Sequence, residues 1–379
     1  MISLEDGAIL SQRQLNRTLL ARQHLLERSS MSASAMIAHL VGMQSQVPTD
    51  PYTGLWTRLH DFGPDDLSRL MLDRDAVRAS LMRGMIHVAT RDDYLRLQPV
   101  MMPLHERAIP RIAGTRIVPA EVVPAILAAG AELLRSVPMT SKALGAAIHG
   151  RFPEHLPASL AAVCRFGLPL VQVTPRGIWG ASHQPTWALA SEWLAEPVPD
   201  DPTPDEVIAR YLAAFGPATI ADIQAWSGLT GLRVAIARMR PNLRTYRNEQ
   251  GQEVFDVPGA PVLPGDVPAP VRFLPEFDNA LLSHRDRTRI ISEERRKVIG
   301  TTNGRFQATY LLDGFVAGTW RIECTGDCAT MVVRPFESHS REEMADLEEE
   351  GRALLAFLSD AGSRHVMVER DDRGVNFLK

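Results

Sequence analysis

Two carboxamides separated by one residue, Gln44 and Gln46 in the stretch GMQSQVPTDPY, are the side chains of this sequence best suited to chemistry. An amide does not take a proton from water, but it holds a water through donor and acceptor together and presents a carbonyl dipole to a developing cation. Such a pair suits bond breaking in which the leaving group departs easily. The backbone decides whether the two can cooperate. On a helix, residues two apart point to different faces, whereas in extended chain they share one. Pro48 disfavours helical geometry at Val47, so the chain is expected to be opening near Gln46 as it leaves a helix, which lets both amides converge on one small target. The competing reading is that both glutamines solvate the end of that helix.

The elements that must position them belong to a large chain. A length of 379 residues is too great for one compact core and points to two or three domains or repeated modules. Apolar content of 45% and charged content of 23% are ordinary for a soluble globular protein. No secretory pattern opens the chain and no apolar run is long enough to cross a bilayer, so the expected location is the cytoplasm, without a membrane partner. Cys164, Cys324 and Cys328 have no His or Cys partners at zinc-site spacing and read as reduced thiols; no metal and no cofactor is expected. A net charge of -4 argues against nonspecific coating of nucleic acid and leaves room for a local basic channel. Apart from Lys142, Lys297 and Lys379 the cations are arginines, which suits planar phosphate contacts and equally fits a bias in genomic base composition.

The clearest local pattern lies between Pro204 and Pro258. Asp205 to Phe215 reads as a helix stopped by Gly216 and Pro217, Thr219 as the cap of Ile220 to Trp226, and Leu229 to Met239 as a third helix. LRTYRNEQGQEVFDV then reads as a β-hairpin turning at Asn248 to Gly251, which completes the pattern of a winged helix. The order recurs more faintly upstream in Thr140 to Ile148, Ala158 to Phe166 and LVQVTPRGIWGAS, with a turn at Pro175 to Gly177. A third copy is expected at the N-terminus, with helices at Ser11 to Leu26, Ser32 to Met43, Tyr52 to Leu59 and Pro64 to Leu72 and a strand at Met85 to Ala89. Pro258 to Pro270 reads as a linker. Beyond Arg272, FQATYLLDGFVAGTW, CATMVVRPF and HVMVE alternate as strands of a small antiparallel sheet, with an amphipathic helix over Arg341 to Leu358. The expected class is α+β, mainly α: tandem winged-helix modules at 1–125, 126–200 and 201–260, then a β-rich region with a helix at 261–379. By themselves the modules leave open an enzyme, a noncatalytic transcriptional regulator that binds DNA, and a protein-interaction scaffold.

Five ordered segments, LSQRQLNRTLLARQHL, GMQSQVPTDPY, MRGMIHVATRDDY, RFLPEFDNALLSHRDRTRII and NGRFQATYLLDGFVAGTWR, resemble the bacterial winged-helix DNA glycosylases of the AlkZ and YcaQ type. The resemblance implies a C-shaped protein of tandem winged helices around a DNA channel and monofunctional glycosylase activity on alkylated purines in double-stranded DNA. In some members it implies self-resistance by unhooking of interstrand crosslinks. It also implies a catalytic motif of Gln, an aliphatic residue, then Gln; Gln44 and Gln46 match, and Ser45 departs from the aliphatic middle. The chemistry agrees: alkylation of the guanine imidazole ring makes the base a cation, so cleavage expels a neutral purine and needs no general acid. Water placed at the anomeric carbon and a stabilised sugar cation suffice. Asp50 reads either as a source of negative charge there or as the cap of the next helix.

Arg83 and His87, in MRGMIH, are candidates to hold a phosphate or line the site, against an ion pair and a hydrogen-bonded histidine beside a strand. Arg233, Arg238 and Arg244, on the third helix and its wing, are the best candidates for a DNA-facing surface, against a solvated helix face. Arg176 and His183, at and after the middle hairpin turn, are weaker candidates. His284, Arg285 and Arg287 read as a phosphate clamp or as a solvated turn, and Gly304, Gly314 and Gly318 as turn formers. A channel built within one chain makes a monomer the expected state.

Overall fold

Strands from either side of residue 125 build one six-stranded antiparallel sheet in the computed structural model, which describes residues 5–112, 118–200, 202–300 and 306–369. Its order is Met43–Gln44, Ile86–Thr90, Ala76–Ser80, Leu170–Gln172, Thr186–Leu189 and Met139–Thr140. Because side chains alternate along a strand, the sheet buries two different faces. Met43, Ala76 and Val88 pack with Tyr52, Leu55 and Met71 on one side. Val77, Ala79, Ala89 and Val171 pack on the other with Tyr94 and Met101 and with Tyr211, Phe215 and Trp226. The first two segments are therefore joined by strand pairing that sets Arg78 opposite Gln172 and Ala79 opposite Val171, and the third segment covers the second face.

The helix Arg91–Ile112, which the sequence reading leaves out, carries Pro99, Pro103 and Pro110. Each interior proline removes a backbone bond and crowds the preceding turn, a penalty of roughly 3 kcal/mol. Burial of Tyr94, Leu95, Leu97, Val100 and Met101 against the sheet offsets it. The helix Val123–Ser136 was likewise not foreseen.

Between Pro204 and Pro258 the expected elements are present. Asp205–Phe215 begins with two acids at its N-terminus, and Thr219 and Asp222 form a capping box that starts Ile220–Ser227. The next helix is Leu232–Met239, three residues later than expected, because Gly228 and Gly231 both take left-handed backbone and form the turn between them. The hairpin Arg244–Asn248 with Glu253–Asp256 follows, and Ile9–Leu10 adds to it as a parallel strand. Upstream, the expected turn at Pro175 to Gly177 forms, closed by Ile178 N–H on Pro175 O at 3.1 Å, but it lies within a long connection, and the strand paired with Leu170–Gln172 is Thr186–Leu189.

The C-terminal sheet has the order Arg272–Leu274, Thr309–Leu312, Phe315–Thr325, Cys328–Pro335 and Ser363–Val368. The expectation of an antiparallel sheet fails at one edge, where Ser363–Val368 runs parallel to Cys328–Pro335. The helix Arg341–Leu358 supplies the crossover that a parallel pair requires. The turn at Asp313 and Gly314 presses on the N-terminal helix Gln12–Arg22: a Cβ at Gly314 would lie 2.5 Å from Arg17 Nη1. Gly304 lies outside the described residues.

Candidate active site

The helix Ala33–His39 stops four residues before the expected Met43. Val41 and Gly42, at φ 55° and 87°, turn the chain through left-handed backbone, and a Cβ on Gly42 would approach Val88 O to 3.1 Å. Met43 and Gln44 are extended, with Met43 opposite Val88 and Gln44 opposite His87; Ser45 N–H donates to Ile86 O at 2.8 Å, and the chain bends at Gln46 and Val47. Gln44 thus stands on an edge strand rather than at a helix exit. It is buried, and Gln46 is exposed.

Both amides are held by the segment Met82 to His87. Gln44 Oε1 accepts from Arg83 Nη2 at 2.8 Å, and Gln46 Oε1 accepts from Ile86 N at 3.4 Å. Each partner is a donor, so the carbonyl oxygen of each amide must face it, leaving a second lone pair and the NH2 group for other partners. Arg83 sits at φ 57° in the short helix Met82–Gly84 and gives its other terminal nitrogen to Trp226 O in the third segment. Burial, and then the nearby Arg287 guanidinium, lower its pKa to about 10, so it remains charged at neutral pH. His87 is buried and donates from Nδ1 to Met85 O at 2.9 Å. Burial, with Arg83 adding to it, pushes its pKa down to about 3, so it is a neutral imidazole with Nε2 as acceptor.

Arg78 and Asn279, neither of them singled out from the sequence, fix this strand. Ser45 faces the opposite side, where the buried Arg78 donates from Nη1 to Ser45 Oγ at 2.5 Å, from Nη2 to Ser45 O at 2.9 Å and from Nε to Gln172 Oε1 at 3.3 Å. Asn279 donates from Nδ2 to Gly42 O at 2.7 Å and accepts from Gln44 N at 3.3 Å. Asn279 is itself aimed by Asp278, the cap of the helix Asn279–Leu282, which takes both terminal nitrogens of buried Arg58 at 2.9 and 2.8 Å. Asp50 is the first residue of the helix Asp50–Trp56 rather than its cap, a position held by Thr49, and its carboxylate favours the charged form of Arg78.

The family model described as DNA glycosylase AlkZ-like matches residues 37–357, the span that contains every group named in this site. The chain belongs to the AlkZ-like DNA glycosylase family. An interstrand DNA cross-link repair glycosylase of Streptomyces sahachiroi is 26% identical over 366 residues, covering 90% of this chain and 94% of that protein. The solved structure of the Streptomyces sahachiroi DNA glycosylase AlkZ shares the fold with a TM-score of 0.77 at 23% identity, covering 95% of this chain and all of that one. Membership makes the chain an enzyme that acts on DNA and sets aside the regulator and scaffold readings.

In this AlkZ-like chain the remaining residues singled out from sequence are dispersed. Arg287 lies close enough to Arg83 to lower its pKa, and its guanidinium stands 5.5 Å over the Phe306 ring. Arg285 is exposed, with its backbone N–H on Asp222 at 2.8 Å. His284 is no part of a solvated turn or clamp: it is buried, donates from Nε2 to Phe215 O at 3.1 Å, and is kept neutral by burial and by Arg289. Asp222 beside it is held below the usual carboxylate range against the opposing effect of its burial; His284 carries no charge at neutral pH, so Arg289 and the two bonds from Thr219 supply that effect. Arg176 donates to His183 O at 2.6 Å, and the exposed His183 ring donates to Gln184 O at 3.0 Å. Arg238 pairs with Asp205 at 2.9 Å and Arg244 with Asp6 at 3.0 Å, while exposed Arg233 forms no ion pair among the described residues. No helix among the described residues is long and apolar enough to cross a membrane, and none of their side chains cluster as metal ligands.

Proposed function

We propose that this glycosylase hydrolyses the N-glycosidic bond of alkylated, cationic purines in double-stranded DNA, with Gln44 and Gln46 holding the attacking water. The observation that carries this reading is that one short segment, Arg83 to Ile86, anchors both amides through donors, on a strand that itself is pinned from both sides. Fixed amides suit a reaction whose leaving group is already positive: placing the water supplies most of what the enzyme must add. Neutral His87 is no acid at neutral pH, and none is required. The product is an abasic site, with no strand cleavage.

The relative named as an interstrand DNA cross-link repair glycosylase favours crosslinks and bulky adducts as substrates of this chain, in self-resistance or base-excision repair. Three helices and a hairpin between 201 and 260 support a winged helix there, with weaker counterparts at 1–125 and 126–200 and a C-terminal region at 261–379. In this reading these modules line a channel in a cytoplasmic monomer. Arg83 and Arg287 lie near the reacting nucleotide, with Arg233, Arg238, Arg244, Arg285, Arg176 and His183 as further DNA-facing candidates; His87, being buried, lies behind Gln44 and does not face DNA.

The test is base release from a duplex carrying one N7-methylguanine, with a crosslinked duplex in parallel. Release is expected from the wild-type protein and loss of at least about 100-fold from Gln44→Ala and Gln46→Ala, the scale of a misplaced reactant. No release from either duplex, or full activity of both variants, overturns the reading.

A further inference from the structure

We propose that Arg78 is a positioning residue for catalysis, acting through Ser45 to set the Gln46 amide; this rests on the reading of Gln44 and Gln46 as the water-holding pair. In a regular antiparallel ladder the residue opposite Ile86 exchanges two backbone bonds with it. Here only one forms. Ser45 N–H donates to Ile86 O at 2.8 Å, but Ser45 O accepts from Arg78 Nη2 at 2.9 Å, and Ile86 N–H goes to Gln46 Oε1 at 3.4 Å. With the serine carbonyl bound by Arg78 and not by Ile86, the Ile86 N–H serves the glutamine side chain.

The guanidinium is placed for this task at a cost. It is buried, it forms no ion pair among the described residues, and both of its terminal nitrogens serve the single residue between the two glutamines. A buried cation needs a full set of acceptors, and here the serine hydroxyl is one of them. An aliphatic side chain at this position would offer no such acceptor. Gly177 keeps the path open, since a Cβ there would meet Arg78 Cδ at 2.6 Å.

Steady-state base release from the N7-methylguanine duplex tests the idea with Arg78→Met, Arg78→Lys and Ser45→Ala beside Gln44→Ala and Gln46→Ala, each with its Tm. Arg78→Met is expected to lower kcat about 100-fold with KM within about twofold of wild type, because the amide is displaced while DNA contacts persist. Arg78→Lys should recover part of the loss, since an ammonium reaches Ser45 with fewer bonds. Ser45→Ala, which keeps the carbonyl and loses the hydroxyl, should fall between them. Exchange of the Ile86 amide should slow in Arg78→Met as the ladder closes. Wild-type kcat in Arg78→Met and Ser45→Ala, alongside inactive glutamine variants, overturns the positioning role and leaves the amide reading standing. Active glutamine variants overturn both. Should Arg78→Met fail to fold, Ser45→Ala decides.

Discussion

Replacing Asn279 should release the strand that carries Gln44, although the two residues lie far apart in sequence. Asn279 satisfies two buried backbone groups, Gly42 O at 2.7 Å and Gln44 N–H at 3.3 Å. A buried group left without a partner costs about 1–3 kcal/mol; taking the long bond at the low end and the short one near 2 gives a total of about 3 kcal/mol. Asn279→Leu keeps the branched shape and excludes water, so it should incur the whole cost. Asn279→Ala opens space in which one water can bridge both groups, which reduces the loss to about 1 kcal/mol. The free energy is expected to appear as local opening, because Met43–Gln44 is a two-residue edge strand with one neighbour. A cost of 3 kcal/mol raises the open fraction by about 100-fold, so hydrogen exchange at Ser45 should accelerate by that factor in Asn279→Leu and by under tenfold in Asn279→Ala. Turnover should fall in the same order. Wild-type protection of Ser45 in Asn279→Leu would falsify the claim that this side chain holds the strand.

Two further outcomes follow from charge. The folded pKa of His87, about 3, lies below its ordinary value, so the unfolded chain takes up a proton as pH falls through about 6.5 while the native protein does not. The contribution is complete above that pH and declines below it by about 1.4 kcal/mol per pH unit, with buried His284 acting in the same direction. His87→Gln should therefore flatten the dependence of the urea midpoint between pH 6 and 4; an unchanged slope refutes the burial argument. On the third helix, Arg233 is exposed without an ion pair while Arg238 is held by Asp205. Arg233→Ala should reduce the slope of log K against log salt for duplex binding by about 0.9, and Arg238→Ala by less, because that arginine must first leave its carboxylate. Equal slopes for both variants and wild type would place this helix off the DNA.

The sequence made the Gln pair visible because its spacing is local, and Pro48 announces extended chain. It also made the third segment visible, where capping and turn chemistry are written in neighbouring residues such as Thr219 and Asp222, or Asn248 to Gly251. What it hid was tertiary. The prolines of Arg91–Ile112 argue locally against a helix, and only burial of one face against the sheet overrides them. Arg78 sits in AVRAS, a strand whose every residue is buried. A charge in such a run signals a buried partner without naming it. Asn279 lay within a segment that carried the family resemblance, yet nothing in its neighbours points to Gly42, because that contact exists only after distant chain segments meet.

That separation explains why the proposed site requires nearly the whole chain. An edge strand of two residues has too few bonds to hold two amides in place on its own. Here Asn279 comes from the C-terminal region, Arg83 is tied to Trp226 of the third segment, and Gln172 of the second segment helps hold Arg78. Buried ion pairs carry the same logic outward: Arg58 aims Asp278, and Arg22 joins the N-terminal helix to Asp256 of the hairpin through two bonds of 2.8 Å. Removing one member of such a pair leaves an uncompensated buried charge worth about 3–5 kcal/mol, more than a hydrophobic replacement of the whole pair would cost. These arginines are thus poor means of adding stability and good means of fixing register. A site that must present a water to one atom of a sugar depends on register to within about an ångström. The placement of the amides is therefore a property of how the segments meet, and a variant far from Gln44 should be able to lower turnover without touching DNA.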